Sequence, residues 1–312
     1  MGLIVGVDGG GTNSIYQVYD REKNKIHEFV GTSINFYSIG DAKAHAAFKE
    51  KMRGITVFFK QDIDAIYIGN SALGIGDKLD ISHPFARCVA GYTKNFDVVS
   101  DLYICLRAVD AVPAIFLISG TGSMGMVEDR NGKIYTVSGW GPLFGDQGSG
   151  YYIGLRGIRE AVKFFDGVGG SAVLLDRVKQ YFDIVKLEDL IAEVYNPPIE
   201  KDIVAKFAID VLEAAQAGDA VSKSIIENAA AYLVKCALKL YAQVGNCNVD
   251  LTVYGGCFRQ SDYFYNLFKD KLHQQKKVKI KFPKYKPVEA ALMMAGKLID
   301  VEIPKELFQQ GD

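Results

Sequence analysis

Two stretches of this 312-residue chain repeat one pattern of strand, glycine-rich turn and strand. Residues 3–7 are apolar and run into the turn 8–14, which an alternating stretch and a polar turn follow. Residues 114–118 run in the same way into the turn 119–123. The two turns lie 111 positions apart, about one domain length. The repeat predicts two related domains whose hairpins face a shared ligand cleft, and chance similarity between two hairpins is the alternative.

Both turns have a composition suited to binding phosphate. Glycines permit positive φ angles and leave backbone N–H groups accessible to an anion, and the short hydroxyl side chains add hydrogen-bonding groups. Asp8, at the end of the first strand, is a hard oxygen ligand of the kind that Mg²⁺ prefers. The alternative is a tight hairpin with a solvent-facing aspartate. The candidate phosphate-binding residues are Gly10, Gly11, Thr12, Asn13, Thr121, Gly122 and Ser123.

Two common nucleotide-binding motifs do not fit this chain. Gly120, Gly122 and Gly125 satisfy a GxGxxG pattern, but the residues that follow resemble a strand and not the start of a helix. A glycine loop ending in Gly-Lys-Ser or Gly-Lys-Thr is absent from the sequence. Phosphate binding is therefore expected from two hairpins and not from a dinucleotide fold or a P-loop.

The single tryptophan lies in a glycine-dense segment, residues 139–154. The pattern predicts an ordered loop leading into a helix, and constrained polar loops often carry binding residues. Asp146 is suited to accept hydrogen bonds from sugar hydroxyls. The alternative is that Asp146 or Ser149 only caps the following helix. The candidate substrate-binding residues of this segment are Gly139, Trp140, Asp146 and Gln147.

The remaining pattern alternates strands with helices, which favours an α/β fold with mixed or parallel sheets. Hydrophobic residues make up 49% of the chain and charged residues 23%, as in ordinary globular domains. The predicted helices include 42–52, 150–165, 201–218, 219–244 and 287–298, and the predicted strands include 64–69, 249–254 and 278–282.

Charge and cysteine content limit the partners that we expect. The formal net charge of −1 provides no basic field for nucleic acid or an anionic membrane. No apolar run reaches the roughly 18 residues that span a bilayer, and the first residues predict a strand and not a signal peptide. Five scattered cysteines without a CxxC pair are typical of reduced thiols, so a cytoplasmic protein is expected.

Taken in order, these motifs, together with the pair Gly255-Gly256 and the segment 287–291, resemble one known family. The sequence is similar to the N-acetylglucosamine kinase-like branch of the BadF/BadG/BcrA/BcrD ATPase family, within the actin/hexokinase/Hsp70 superfamily. The resemblance implies two ribonuclease-H-like, actin-like ATPase domains with mixed sheets flanked by helices and a nucleotide cleft between them. It implies boundaries at 1–110 and 111–286, with a C-terminal helix in 287–312 that returns to the first domain.

The resemblance also implies roles for single residues. Gly255 and Gly256 match the adenosine motif, and Asn35 matches a sugar-contacting asparagine after the third strand. Asp101 matches the catalytic aspartate, and Asp97 is the competing carboxylate. The chain departs from the family pattern at Gln147, where a glutamate is usual, and around Asp101, where Ser100 and Leu102 replace asparagine and alanine. These departures bear on the identity of the sugar and on the assignment of the base.

The activity implied is transfer of the γ-phosphate of ATP, with Mg²⁺, to a sugar hydroxyl, with the 6-hydroxyl as the expected acceptor. N-acetylglucosamine, glucosamine or a related hexose is the first expectation, and 2-keto-3-deoxygluconate is the alternative. A non-catalytic sugar sensor and an ATPase activator are the alternatives from other classes; activators hold an iron–sulfur cluster on cysteines that the turn 119–123 lacks. The expected partner is a small sugar, and a homodimer is the usual assembly.

Overall fold

The computed structural model describes residues 2–109, 111–196 and 198–308. Ten strands form in these ranges: β1 (Leu3–Gly9), β2 (Asn13–Asp20), β3 (Lys25–Thr32), β4 (Ile63–Asn70), β5 (Phe96–Ser100), β6 (Ala114–Ser119), β7 (Ser123–Glu128), β8 (Ile134–Ser138), β9 (Leu251–Tyr254) and β10 (Ile280–Lys281). Fourteen α-helices form in the same ranges: α1 (Phe36–Ile39), α2 (Asp41–Phe59), α3 (Pro84–Ala90), α4 (Asp101–Arg107), α5 (Gly141–Phe144), α6 (Gly150–Phe165), α7 (Ala172–Tyr181), α8 (Leu190–Tyr195), α9 (Lys201–Lys206), α10 (Ala208–Gln216), α11 (Ala220–Gln243), α12 (Gly256–Arg259), α13 (Asp262–His273) and α14 (Pro287–Lys297).

The chain divides into two compact units. The first unit lies within residues 1–110 and 283–312, and the second within residues 111–282. The first is therefore built from two separate stretches of chain, while the second is one continuous stretch. Each unit has a five-stranded sheet of its own.

The sheet of the first unit is buried on both faces, which explains the unbroken apolar run of β1. Leu3, Val5 and Val7 join the core on one face, where Phe48 of α2 packs. Ile4 joins the core on the opposite face, together with Leu292 of α14. A Cβ atom at Gly6 would lie 2.2 Å from the backbone nitrogen of Leu292, so α14 packs against β1 at a distance that only glycine allows.

The second unit packs its helices over the sheet through one large apolar core. Helix α11 lies against β6, β7 and β8, with Leu233 and Leu240 fully buried. Close packing again uses glycine, because a Cβ atom at Gly154 of α6 would lie 2.0 Å from the carbonyl oxygen of Val204 in α9. Helices α6 and α9 therefore approach each other at the backbone.

The two sheets share one topology, which confirms the repeat predicted from the sequence. The strand order is β3-β2-β1-β4-β5 in the first sheet and β10-β9-β6-β7-β8 in the second. In chain order, the first three strands of each sheet (β1, β2 and β3; β6, β7 and β8) pair antiparallel. The other two strands (β4 and β5; β9 and β10) are then added parallel to β1 and to β6. The predicted fold of two mixed sheets flanked by helices is confirmed.

Some predicted elements have different bounds. The helix predicted over 201–218 is divided into α9 and α10 at Phe207, whose side chain is fully buried. The strand predicted over 278–282 is reduced to the two residues of β10 at a sheet edge. All five cysteines are free thiols, as predicted. None of the helices in the described ranges is both long enough and apolar enough to cross a membrane.

Candidate active site

Two carboxylates of the first unit lie at the carboxyl ends of parallel strands. Asp8 is aligned with Gly69 of β4, and Gly69 is aligned with Val99 of β5, two residues before Asp101. A Cβ atom at Gly69 would lie 3.0 Å from Cα of Asp101, so glycine at this position lets the start of α4 approach the sheet. This edge of a parallel sheet is where α/β proteins place their ligands.

The electrostatics of Asp8 show that the two carboxylates interact. Burial, and secondarily the charge of Asp101, raise the pKa of Asp8 from 3.8 to about 7. A cation bound there would relieve both effects, since it would replace lost solvation and screen the like charge. Among the described residues, no group of three or more histidine, cysteine or acidic side chains is placed to hold a metal. A site of one or two carboxylates completed by phosphate oxygens is the arrangement typical of Mg²⁺.

Asp101 is the first residue of α4, and two hydrogen bonds hold its carboxylate. The backbone N–H of Leu102 donates to Oδ1 of Asp101 at 2.7 Å, and the hydroxyl of Ser100 donates to the same oxygen at 3.4 Å. Burial raises the pKa of Asp101, while these hydrogen bonds oppose the rise. The carboxyl is therefore oriented, acceptor-rich and more basic than an exposed aspartate, as a general base requires.

The competing carboxylate, Asp97, has a different environment. It is aligned with Tyr67 of β4, which is aligned with Gly6, so it lies two residues behind the level of Asp8, about 7 Å along the strand. Its Oδ1 forms an ion pair with Nζ of Lys78 at 2.6 Å. Asp97 is therefore neutralised by Lys78, and the carboxylate whose charge raises the pKa of Asp8 is that of Asp101.

In the first glycine turn, Gly9 is needed for close packing, and none of the three glycines is needed for its backbone conformation. Gly9, Gly10 and Gly11 all have ordinary φ angles, so the positive φ that glycine permits is not used here. A Cβ atom at Gly9 would lie 2.7 Å from Cγ1 of Ile34, whereas at Gly11 it would meet no atom within 4 Å. Gly11, Thr12 and Asn13 are exposed, so the turn offers its backbone to a ligand.

Asn35 is a buried helix cap. Its Oδ1 accepts from the backbone N–H groups of Tyr37 and Ser38, and its Nδ2 donates to the hydroxyl of Ser71 at 2.9 Å. The hydroxyl of Ser33 accepts from the N–H of Asn35 and donates to the carbonyl oxygen of Gly10 at 3.0 Å. Asn35 is thus joined to the first glycine turn, and one amide hydrogen of its side chain has no partner among the described residues.

In the second unit, the glycine turn is joined to two other motifs. The N–H of Gly150 donates to the carbonyl oxygen of Gly120 at 2.7 Å, and the hydroxyl of Ser119 donates to the carbonyl oxygen of Gly148 at 2.6 Å. Gly255 has a φ of +105°, and a Cβ atom there would lie 2.3 Å from the carbonyl oxygen of Ser119. The turn 119–123, the segment 147–150 and the pair 255–256 therefore form one structure.

Asp146 points at the same turn. A Cβ atom at Gly122 would lie 2.9 Å from Oδ2 of Asp146, whose carboxylate accepts from the backbone N–H groups of Ser123 and Gly141. Burial raises the pKa of Asp146 against these hydrogen bonds and the charge of Lys201. Its φ of +55° is a left-handed conformation, which aspartate adopts more readily than most residues other than glycine.

The alternative role, helix capping, applies to Ser149 and not to the carboxylate of Asp146. The hydroxyl of Ser149 accepts from the N–H of Tyr152 at 3.1 Å and caps α6. Trp140 is 76% exposed. Gln147 lines a separate apolar groove of about 930 Å³ that includes Arg156 and Arg159. Gln147 also borders the glycine turn, because its carbonyl oxygen accepts from the hydroxyl of Ser123 at 2.8 Å.

A second groove of about 740 Å³ borders the glycine motifs. One wall carries Gly120, Thr121, Gly150 and Gly256, and the other is a face of α9 and α10. The sequence motifs did not identify the second wall. Its residues recur at intervals of three and four positions, a spacing that also fits packing against a helical core, so the spacing alone carries no functional signal. They are Asp202, Ala205, Lys206, Ala208, Ile209, Leu212, Glu213 and Gln216.

The sequence pattern of the BadF/BadG/BcrA/BcrD ATPase family matches residues 5–295, so the chain belongs to this family. This finding confirms the resemblance stated above. An N-acetylmuramic acid/N-acetylglucosamine kinase of Clostridium acetobutylicum is 29% identical over 293 residues, covering 92% of this chain and 93% of that protein. An N-acetyl-D-glucosamine kinase of Dictyostelium discoideum is 28% identical over 242 residues, covering 73% and 76%. The prediction of an ATP-dependent carbohydrate kinase agrees with these relatives.

Solved structures share the fold. A candidate N-acetylglucosamine kinase from Chromobacterium violaceum superposes with a TM-score of 0.71 at 19% identity, covering 95% of this chain and 99% of that one. A ROK family glucokinase from Streptomyces griseus, solved with glucose and AMPPNP, superposes with a TM-score of 0.53 at 17% identity, covering 95% and 100%. At these identities the likeness establishes the fold alone, and it agrees with the predicted fold of two mixed sheets flanked by helices.

Proposed function

We propose that this protein is an ATP-dependent sugar kinase that phosphorylates N-acetylglucosamine, glucosamine or a related hexose, with the 6-hydroxyl as acceptor. The observation that carries the proposal is the position of Asp101. It lies at the start of α4, where its charge raises the pKa of Asp8, and both residues lie at the carboxyl edge of the sheet. The family membership and the names of the two relatives above support the same reaction.

In this proposal Asp101 accepts the proton of the sugar hydroxyl as the hydroxyl attacks the γ-phosphorus. Its raised pKa and its fixed orientation suit that role. Asp8 holds Mg²⁺, which would neutralise charge on the phosphates when bound. Backbone N–H and hydroxyl groups of the two glycine turns bind the phosphates, so most of the catalysis is positioning and electrostatic stabilisation. The reaction requires that both turns contact the same ATP molecule, which stays a prediction from the sequence.

Asn35 and Asp146 are the proposed sugar contacts. Each is buried, held by backbone hydrogen bonds and joined to one of the glycine turns, so each has a fixed orientation relative to the proposed phosphate site of its own unit. Groups fixed in this way discriminate sugars by the pattern of hydroxyls that they pair.

Phosphorylation assays that measure ADP release test the proposal. The sugars to compare are N-acetylglucosamine, glucosamine, glucose, N-acetylmuramic acid and 2-keto-3-deoxygluconate, each with ATP and Mg²⁺. We expect the highest kcat/KM with an amino sugar or hexose. A higher value with the ketodeoxy acid would replace the proposed substrate, and no sugar-dependent ADP release with any of them would contradict a kinase.

Asp101→Asn tests the assignment of the base, with Asp97→Asn as the matched control. Loss of the proton acceptor should lower kcat about 10²- to 10⁴-fold while ATP still binds. Asp97→Asn removes a carboxylate of the same strand-to-helix segment and should keep kcat within about threefold, because Asp97 is engaged with Lys78. The reverse ranking of the two variants would move the role to Asp97.

A further inference from the structure

The groove beside the glycine motifs of the second unit has a wall whose residues can be ordered along one helical face. Helices α9 and α10 are separated by Phe207 alone, and groove-lining residues occur on both. From Asp202 to Gln216 the wall extends over 14 positions, about 21 Å at 1.5 Å per residue. That length is sufficient for an extended nucleotide.

The part of this wall around Ala205, one turn after Asp202, is fixed against the predicted phosphate turn. A Cβ atom at Gly150 would lie 3.1 Å from the carbonyl oxygen of Ala205 and 3.2 Å from the carbonyl oxygen of Gly120. The N–H of Gly150 bonds to that same oxygen of Gly120. Ala205 therefore lies at the level of the turn, and Lys206 is the next residue and also lines the groove.

The chemistry of the wall changes along its length. Lys206 is followed one turn later by Ile209 and then by Leu212, so an apolar stretch lies beyond the lysine. Glu213 and Gln216 lie at the far end. A cation near the glycine turn and an apolar surface beyond it match a triphosphate followed by a base.

Among the described residues that line this groove, Lys206 is the one cation. The same groove is lined by three carboxylates, those of Asp202, Glu213 and Asp262. The side chain of Lys206 is exposed, and it forms no ion pair within the described part of the chain. An ammonium group that lines the same groove as the glycine turn is a suitable partner for phosphate oxygens.

We propose that Lys206 binds the terminal phosphates of ATP, beside the turn formed by Gly120 and Thr121. This proposal rests on the proposed function, because it takes ATP to be the nucleotide substrate. It adds to the glycine turns a charged residue that discriminates between nucleotides by the number of their phosphates.

The test is nucleotide binding without sugar, measured by calorimetry with ATP, ADP and AMP for the whole protein. For Lys206→Met we expect about a tenfold or greater loss of ATP affinity and less than about a twofold loss for AMP. Lys206→Arg keeps the charge and should stay within about threefold of wild type for ATP. Lys223→Met, at an exposed lysine of α11 that does not line the groove, is the matched control and should bind all three nucleotides normally.

The outcomes separate the two proposals. If wild-type protein binds ATP and Lys206→Met binds ATP equally well, the role of Lys206 is overturned while the kinase proposal stands. Equal losses for ATP and AMP, or no rescue by Lys206→Arg, would also overturn it, because neither fits a contact with terminal phosphates. If wild-type protein neither binds ATP nor phosphorylates a sugar, the proposed function itself is overturned.

Discussion

Asp8 has a carboxyl group whose ionisation is opposed by burial and by a neighbouring negative charge. Its pKa of about 7 in the folded protein, against 3.8 as the ordinary value, means that the folded state keeps a proton that the unfolded chain loses. Stability therefore falls as the pH rises through this interval and is constant above it. Ionised Asp8 is destabilising in the absence of a cation, which is the condition expected of a residue that serves a ligand and not the fold.

Replacing this residue should remove that pH dependence. In urea denaturation without Mg²⁺, wild-type protein should lose about 1–3 kcal/mol of unfolding free energy between pH 4 and pH 8 through Asp8, and Asp8→Asn should lose correspondingly less. We expect less than the full 1.36 kcal/mol for each unit of pKa, because Asp8 is partly open to solvent. Asp62→Asn, at an exposed carboxylate, should leave the wild-type slope unchanged. An unaltered slope in Asp8→Asn would contradict the assignment.

For some of these candidate residues, the position in the fold could be predicted from the sequence, and for others it could not. Asp8 and the glycines beside it follow an apolar run, so their position at a strand end could be read from the pattern. The hydrogen bonds of Asn35 could not be predicted. Asn35 bonds to Ser71 directly and to Gly10 through Ser33, and these contacts depend on how separate segments pack. Lys206 has no signal in the sequence, since its proximity to Gly120 arises only when α9 packs against Gly150.

At the scale of elements, the contact between α14 and β1 depends on the absence of a side chain at position 6. Leu292 lies against this position with its backbone, which cannot rotate away as a side chain can. The pattern of the sequence predicted both elements as strand and helix. It could not predict their contact, because a glycine inside a strand is equally compatible with a bulge.

Gly6→Ala should therefore separate two elements of the first unit. We expect a loss of about 1–3 kcal/mol in unfolding free energy, in the range of overpacked cores. The matched control is Gly54→Ala in α2, where the added methyl group would meet no atom within 4 Å. That variant should gain about 0.5–1 kcal/mol, since alanine favours a helix over glycine. Chemical denaturation followed by circular dichroism measures both, and equal effects would contradict the close packing.

At the scale of the whole molecule, the two units differ in continuity. The second is a single stretch of chain with a core of its own, whereas the first needs residues from both sides of that stretch. Two related domains could be predicted from the repeated hairpins, but the two parallel strands added to each sheet could not. The break between α9 and α10 could not be predicted, because the sequence around Phe207 contains neither glycine nor proline.

This difference predicts the behaviour of fragments. Residues 111–282, expressed alone, should show a cooperative thermal transition, because their core is complete. Residues 1–110 alone should not, because α14 is missing and the face of β1 that carries Ile4 is uncovered. Adding residues 283–312 through a short flexible linker should restore the transition in the second fragment. Cooperative unfolding of residues 1–110 without that addition would show that α14 is dispensable.

The closing helix of the first unit also orders events during translation. The ribosome releases β1 to β5 first, but the segment that covers β1 is made only after the whole second unit. At roughly 5–20 residues per second, the interval lasts on the order of 10–40 seconds. Throughout it, the nascent sheet presents Ile4 and its neighbours uncovered, and a chaperone with affinity for apolar strands would find its target there.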